Sequence, residues 1–124
     1  MQFKFFTLAA LSTVFLMVPS ATMADSMSCY SVGGCQHCVD RNGMQDARQL
    51  FCGTQNWENA NLEFELEGGL GSMTLLGAAF TSAQQCFDAF DSIMQSCYGT
   101  RDGGVYSFNN GADATFNLDF CNCE

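Results

Sequence analysis

The sequence predicts a small α+β domain rich in disulfides, a sandwich in which an antiparallel sheet of about four strands packs against an amphipathic helix. Three observations lead to this fold class: eight cysteines in a short chain, short segments of alternating hydrophobicity, and one segment with helical periodicity. The predicted elements follow the order helix, two strands, helix, two strands. That order is typical of an antiparallel sheet covered by helix on one face.

Four segments are predicted to be strands. The clearest signal is the alternation of Leu62, Phe64 and Leu66 with glutamates, which gives one buried and one wet face. Asn110-Gly111 is a strong turn signal between the last two strands. The predicted strands are 61–67, 73–76, 105–109 and 115–121.

The best helix signal runs from Thr81 to Cys97. Within it, one inward stripe recurs at spacings of four, three and four residues, and consists of Cys86, Phe90, Ile93 and Cys97. A shorter helix is predicted over 43–51 with Asn42 as its cap. Residues 25–40 show no periodicity, so we expect an irregular segment held by its cysteines.

The first 24 residues are predicted to be a signal peptide. Lys4 precedes an uncharged apolar run from Phe5 to Val18, and small residues at Thr22 and Ala24 suit cleavage before Asp25. The alternative, a membrane anchor, needs roughly 20 apolar residues and a basic flank, which this run lacks. We therefore expect a single secreted, extracellular domain over residues 25–124.

The predicted mature domain is strongly acidic. It has three arginines against 13 acidic residues, a formal charge of −10. Nucleic acids and anionic membranes both require basic patches, so neither is an expected partner, and no membrane insertion is expected. We expect a monomer.

The cysteines predict a disulfide framework, because an even number in a short secreted chain pairs into bridges. A zinc site is the alternative, since Cys35 and Cys38 have knuckle spacing, but no second such pair exists and His37 is the only histidine. No metal or cofactor is expected. The predicted disulfide cysteines are Cys29, Cys35, Cys38, Cys52, Cys86, Cys97, Cys121 and Cys123.

No catalytic residue is predicted. Glu63, Glu65 and Glu67 form a carboxylate row on one strand face, whereas glycosidases place their two carboxylates on opposite sides of the sugar. His37 lacks a partner motif for acid/base chemistry. The simplest interpretation of the glutamate row is a charged, solvent-exposed strand face that keeps the protein soluble. His37 is interpreted as an ordinary loop residue.

Residues typical of carbohydrate binders remain. Aromatic rings can stack on sugar faces, and amides and carboxylates can bond hydroxyl groups; two loops carry both kinds of side chain, although the same residues are also common in ordinary turns. The predicted ligand-binding candidates are Trp57, Asn56, Asn59, Tyr106, Asn109 and Asp102.

The segment CFDAFDSIMQSC, from Cys86 to Cys97, precedes Gly103-Gly104 and a terminal strand that ends in cysteine. Together with CYSVGG from Cys29 and ARQLFC ending at Cys52, it resembles small secreted cysteine-rich proteins of fungi. The chain is most similar to a glycan-binding family first described from a mushroom. It resembles killer-toxin-like and necrosis-inducing effector domains more loosely.

This resemblance implies an α/β sandwich that binds ligands outside the cell. The pair Cys35 and Cys38 and the tail from Cys121 to Cys123 depart from the family pattern. We therefore expect a non-enzymatic, glycan-binding or effector protein whose partner is an extracellular glycan or a host surface protein. The alternatives are a small toxin or inhibitor of a channel or enzyme, and a compact hydrolase such as a ribonuclease.

Overall fold

The computed structural model describes residues 25–109 and 112–122. These residues form two α-helices and seven strands, with 3-10 turns at Gln55–Glu58 and Glu67–Gly69. The helices are α1 (Arg41–Cys52) and α2 (Ala83–Cys97). The strands are β1 (Ser26–Cys29), β2 (His37–Cys38), β3 (Leu62–Leu66), β4 (Gly71–Leu76), β5 (Gly103–Asn109), β6 (Asp113–Asp119) and β7 (Cys121–Asn122). The expected signal peptide, the Asn110-Gly111 turn and Cys123 lie outside the described residues.

The main sheet has five strands in the order β1-β5-β6-β4-β3, and every neighbouring pair is antiparallel. The alternation of apolar and polar residues in the sequence predicts which face of the sheet is buried. Phe116 and Leu118 are fully buried, whereas Thr115 and Asn117 are not. The predicted α+β class, with a sheet packed against an amphipathic helix, is confirmed. All four predicted strands form, and β1 adds a fifth.

The N-terminal segment is irregular only in part: residues 26–29 and 37–38 form the strands β1 and β2, whereas residues 30–36 have no regular secondary structure, as expected. β1 pairs with β5 in the register Met27 to Tyr106 and Cys29 to Gly104. Met27 and Cys29 are partly buried against the core, while Ser26 and Ser28 are exposed. A four-residue alternation is too short to stand out in the sequence, and the strand depends on pairing with residues about 80 positions away.

Helix α2 supplies the centre of the core. The whole predicted stripe, Cys86, Phe90, Ile93 and Cys97, has no exposed surface. Ser82 caps the helix by accepting a hydrogen bond from the N–H of Gln85 at 3.1 Å. Gly104 of β5 lies directly beneath this stripe. A Cβ there would come within 2.9 Å of both Cys97 Sγ and Ile93 Cγ2, so the glycine allows the helix to approach the sheet closely.

Helix α1 begins earlier than the sequence predicts. Asp40, and not Asn42, is its cap, because the Asp40 carboxylate accepts a hydrogen bond from the N–H of Gly43 at 2.6 Å. Both residue types suit a cap, and only the backbone conformation decides between them. The helix buries Met44 and Phe51 against α2 and the sheet.

Three disulfides join described residues. Cys29–Cys97 ties β1 to the end of α2, and Cys52–Cys86 ties α1 to the first part of α2. The third, Cys38–Cys121, joins β2 and β7, which form a separate two-stranded sheet. Cys35 is disulfide-bonded as well. The expected double attachment of α2 is therefore present.

No helix among the described residues is long and apolar enough to cross a membrane.

Candidate functional site

A cavity of about 170 Å³ lies at the end of the main sheet where β5 begins. Its volume is below the range of cavities that hold drug-sized ligands, so any ligand that it holds is no larger than about one sugar ring. The lining includes the aromatic rings of Tyr98 and Phe120, and a hydroxyl, a guanidinium and a carboxylate from Thr100, Arg101 and Asp102. Gly34 and the Cys38–Cys121 disulfide lie among the remaining lining residues.

Two grooves of about 240 and 230 Å³ lie beside β3. Glu63, Glu65 and Asp119 line one of them, and Asp46, Glu65 and Glu67 line the other. Neither groove has an aromatic ring in its lining, so neither offers a platform for a sugar face. The cavity at the start of β5 is therefore the stronger candidate for a binding site.

The turn after α2 forms one side of the cavity, which is called the first wall below. The helix ends at Cys97, whose carbonyl accepts hydrogen bonds from the N–H groups of Thr100 and Arg101 at 3.2 and 2.8 Å. Gly99 has a φ of 88°, a conformation that glycine adopts without strain, and it reverses the chain. This turn directs Tyr98, Thr100 and Arg101 towards one space.

Tyr98 is held rigidly in this wall. Its hydroxyl donates a hydrogen bond to the carbonyl of Val39 at 2.7 Å. Its ring contacts Phe120 edge-on at 5.3 Å between centroids, and the Arg41 guanidinium lies 4.7 Å from the ring centroid. The Tyr98 side chain is half-buried, and these three contacts fix its conformation. A ligand that packs on its ring therefore causes little further loss of side-chain conformational entropy.

Asp102 joins three segments of the chain behind the cavity. Among the described residues it is the one buried charged side chain, with 6% of its surface exposed. Its Oδ1 accepts a hydrogen bond from the N–H of Cys35 at 3.3 Å, and its own N–H donates to the carbonyl of Val32 at 3.0 Å. Its carbonyl accepts from the N–H of Phe120 at 2.9 Å. A carboxylate has about four acceptor positions, so Asp102 can serve several donors at once.

Residues 31–38, called the wall segment below, form the opposite side of the cavity. Arg101 Nη1 donates to the carbonyl of Ser31 at 3.0 Å. A Cβ on Gly33 would lie 2.6 Å from the Thr100 carbonyl oxygen, so a glycine is needed where the two walls meet. The Cys38–Cys121 disulfide closes the far end of the segment.

The six residues predicted as ligand contacts do not converge. Asp102 precedes β5 and Asn109 ends it, so the strand separates them by roughly 23 Å. Asp102 lines the cavity. Trp57, Asn56 and Asn59 lie in or directly after the 3-10 turn Gln55–Glu58, outside the cavity lining.

Several of these side chains are engaged in local structure. Trp57 is half-buried against the core, and its carbonyl accepts a hydrogen bond from the N–H of Phe80 at 3.2 Å. Asn56 Nδ2 donates to the Leu50 carbonyl at 3.0 Å, and Asn59 Nδ2 to the Gln55 carbonyl at 3.5 Å. Such contacts are the turn chemistry that asparagine commonly supplies.

Tyr106 lies on β5, between the two ends. Its hydroxyl donates a hydrogen bond to Asp25 Oδ2 at 3.0 Å, and its ring lies 6.3 Å from that of Phe108. Burial, together with the hydrogen bond to Asp25, raises the pKa of Tyr106 to about 12. Asn109 is exposed at the end of the strand.

Sequence reasoning did not place Gly34 or Thr100 in a site. Gly34 has a φ of 94° and is separated from the first wall by more than 60 residues of sequence. The available signal was the helix end at Cys97-Tyr98-Gly99, which shows that a sharp turn follows the core helix. No group of three or more histidine, cysteine, aspartate or glutamate side chains in the described ranges could hold a metal ion.

A disulfide-bonded domain with a cavity lined by aromatic and polar side chains has the features of a small ligand-binding domain, although this cavity is smaller than most ligand pockets. Residues 39–124 match the sequence model of the alpha-galactosyl binding lectins. The match covers more than half of the chain, so the protein belongs to the alpha-galactosyl binding lectin family, and the resemblance to the mushroom glycan-binding family is confirmed. No curated protein and no solved structure matches the chain.

Proposed function

We propose that this protein is a secreted, non-enzymatic lectin that binds glycans ending in an α-galactosyl residue and holds that sugar in the cavity beside Tyr98. The observation that carries the proposal is the position of Tyr98–Asp102, which lines the cavity and lies within the residues that match the lectin family. The partner is an extracellular glycan, free or carried by a host surface protein.

The chemistry of the lining suits a galactose ring. Galactose has one face of C–H groups, because its 4-hydroxyl is axial, and this face packs on an aromatic ring such as Tyr98. The hydroxyls around the ring need donors and acceptors, which Thr100, Arg101 and nearby backbone groups of Gly34 and Gly99 supply. A cavity of about 170 Å³ holds no more than about one sugar, so recognition of a chain terminus is favoured over recognition of an internal residue.

The cavity favours binding over hydrolysis. Glycosidases use two carboxyl groups on opposite sides of the scissile bond. Asp102 is the single carboxylate among the described residues that line the cavity, and it is already bonded to the wall segment.

Secretion is part of the proposal. The apolar run before Asp25 and the disulfides both suit an exported protein. Expression of the full chain in a eukaryotic host, followed by N-terminal sequencing of the protein in the medium, tests this point. We expect the sequence to begin at Asp25, and retention of residues 1–24 on the product would contradict it.

A glycan array of the secreted protein tests the ligand. We expect binding to glycans with terminal α-galactose and weak or no binding to β-galactose, glucose and mannose termini. Absence of binding to every galactosyl glycan on the array would overturn the proposed function.

Matched variants test the location. Thr100→Ala and Arg101→Ala change the cavity, whereas Asn59→Ala and Asn109→Ala change exposed side chains outside its lining. We expect the first pair to weaken galactoside binding by roughly tenfold, about 1.4 kcal/mol, in isothermal titration calorimetry. The second pair should bind as the wild type does. The reverse pattern would move the site to the Asn109 end of the sheet.

A further inference from the structure

We infer that the edge strand β3 binds an extended, basic peptide, which joins the five-stranded sheet as a further strand next to α1. This interaction surface goes beyond the proposed function. It is a separate place on the molecule, because none of the residues that line the groove between α1 and β3 lines the cavity at the start of β5.

The first observation is the unpaired side of β3. β3 is the last strand in the order β1-β5-β6-β4-β3, and β4 is its one neighbour among the described strands. In an antiparallel edge strand, every second residue points its N–H and C=O groups away from that neighbour. Along residues 62–65, no such outward group forms a hydrogen bond with another described residue. β3 therefore offers a peptide the backbone hydrogen bonds of an added strand.

The second observation is the groove of about 230 Å³ that α1 and β3 line together, called the helix-side groove below. Part of its lining is apolar. Ala47 and Leu66 are buried there, and Leu50 of α1 is 55% exposed. A side chain of an added strand that points towards α1 would cover this apolar surface, and its removal from water favours an apolar residue at that position of the peptide.

The third observation is the charge on both sides of this edge. Glu63 and Glu65 are exposed and line the groove of about 240 Å³ on the other face of β3, and Glu65 lines the helix-side groove as well. Asp46 and Glu67 add two carboxylates on the side of α1. None of the described residues that line either groove is basic. Charge complementarity therefore favours a peptide with lysine or arginine.

The arginines of α1 do not neutralise this surface. Arg48 is paired with Asp91 of α2, and the Arg41 guanidinium lies 4.7 Å from the centroid of the Tyr98 ring. Neither arginine lines a groove beside β3.

The alternation of β3 determines the pattern of the peptide. Successive side chains of an added strand point to opposite faces of the sheet. One set would lie over the helix-side groove near Leu50 and Leu66, and the other set would lie beside Glu63 and Glu65. The matching peptide alternates apolar residues with lysine or arginine. It needs about five residues, roughly 17 Å, to pair with the five residues of β3.

A second copy of this chain is a poorer occupant of the edge. Antiparallel pairing of two β3 strands centred on Phe64 places Glu63 of each strand opposite Glu65 of the other. Like charges directly opposite one another destabilise a strand pair, and charged edges of this kind disfavour association between identical sheets. A basic peptide meets the same glutamates with opposite charge.

Isothermal titration calorimetry of the secreted protein with synthetic peptides tests the inference. The probe is an acetylated and amidated heptapeptide that alternates four lysines with three valines. We expect it to bind, and to bind more weakly as salt is added. Two control peptides should bind at least about tenfold more weakly: one with the same residues in two blocks, and one with glutamate in place of lysine.

Methylation of the peptide backbone distinguishes an added strand from attraction by charge alone. In a strand, every second N–H group of the peptide faces β3, and the others face solvent. One variant of the probe carries N-methyl groups on the lysines and the other carries them on the valines. We expect one variant to bind at least about tenfold more weakly than the probe and the other to bind nearly as well.

Variants of the protein test the glutamates. Glu63→Gln/Glu65→Gln should weaken binding of the probe by at least about tenfold and reduce its salt dependence. Glu58→Gln/Asp88→Asn is the matched control, since it changes the net charge equally at two exposed residues outside both grooves. The control should bind as the wild type does.

A second pair of variants tests the apolar contact. Leu50→Ala should weaken binding of the probe, and Leu76→Ala, its matched control, should not. Leu76 is 45% exposed and lies outside both grooves. Both leucines are exposed, so neither change should prevent folding.

Amide hydrogen exchange locates the peptide on the protein. Saturating probe should slow exchange of N–H groups in β3 and leave exchange in the central strand β6 unchanged. Affinity for an α-galactoside should be the same with and without the probe. The probe should also bind β3 in a protein that recognises no galactoside, so this inference and the proposed function fail separately.

Four outcomes would overturn the inference. The first is no binding of the probe at millimolar concentration. The second is equal affinity for the alternating and the block peptide, and the third is an equal effect of the two methylations; either would show attraction by charge without a strand. The fourth is protection of the β3 amides in peptide-free protein that grows with protein concentration, because a second copy would then cover the edge.

Discussion

The guanidinium of Arg48 forms two parallel hydrogen bonds with the carboxylate of Asp91, at 2.7 and 2.8 Å, and so joins α1 to α2. The same guanidinium lies 4.3 Å from the centroid of the Phe87 ring. The fork of arginine fits a carboxylate in this way, whereas the single ammonium of lysine does not. The Cys52–Cys86 disulfide joins the same two helices.

The first prediction concerns this ion pair. The Arg48 and Asp91 side chains are 20% and 37% exposed, so solvent screens the pair and its coupling energy should not exceed about 1 kcal/mol. A double-mutant cycle with Arg48→Ala and Asp91→Ala, measured by urea unfolding, tests this value. Arg48→Lys should lose most of the coupling, and added salt should reduce it. A coupling energy unaffected by salt would show that the pair is not screened.

The second prediction concerns Asp102. Asp102→Ala removes the acceptor for the N–H of Cys35 and should lower the free energy of unfolding by about 1–3 kcal/mol. Affinity for an α-galactoside should also fall, because the wall segment loses an anchor. Asp102→Asn keeps the shape and one oxygen acceptor, so both losses should be smaller. Equal stability of wild type and Asp102→Ala would mean that the wall segment does not need this anchor.

The third prediction concerns Gly104. An alanine there would place its Cβ against Cys97 Sγ and Ile93 Cγ2, so α2 must shift away from β5. Overpacking of this kind costs about 1–3 kcal/mol, measurable as a lower midpoint of urea unfolding. Ser107→Ala on the same strand, at a partly exposed position, is the matched control and should change stability little. A wild-type midpoint for Gly104→Ala would show that the helix has room to move.

The fourth prediction concerns alkaline pH. The Tyr106 pKa of about 12 in the folded chain exceeds the value of 10.0 that an unperturbed tyrosine has. Between pH 10 and pH 12 the unfolded chain therefore loses this proton more readily than the folded chain does. The stability contributed by the protonated group is complete below pH 10 and declines as pH rises through this window.

Ultraviolet titration at 295 nm measures this effect directly. Wild-type protein should show fewer ionised tyrosines at pH 11 than the urea-unfolded chain, and Tyr106→Phe should remove part of that difference. Asp25→Asn should lower the Tyr106 pKa, because it removes the carboxylate that accepts the hydrogen bond. Tyr30 also titrates late, since burial and neighbouring Asp119 raise its pKa, so Tyr30→Phe identifies its share. Identical titrations of folded and unfolded wild type would contradict the prediction.

The buried face of each main element follows from the sequence alone. The stripe of α2 and the alternation of β3 and β6 repeat every few residues, and a periodic apolar face in water must be covered. The α+β class, the compartment expected from the cysteines and the resemblance to a lectin family likewise need only the order of the residues.

Only the tertiary structure decided where β1 pairs, which cysteines join and where the cavity lies. The N–H of Cys35 meets the Asp102 carboxylate across 67 positions of sequence, and Cys38 meets Cys121 across 83. Local periodicity carries no information about such pairs, because several cysteines and several carboxylates in the chain are chemically equivalent partners. The packing of the sheet against the helices determines which of them come into contact. The six ligand residues predicted from composition lie apart for the same reason, in or directly after the 3-10 turn Gln55–Glu58, before β5, within it and at its end. A side chain suited to a sugar becomes part of a site only where the fold provides a second wall.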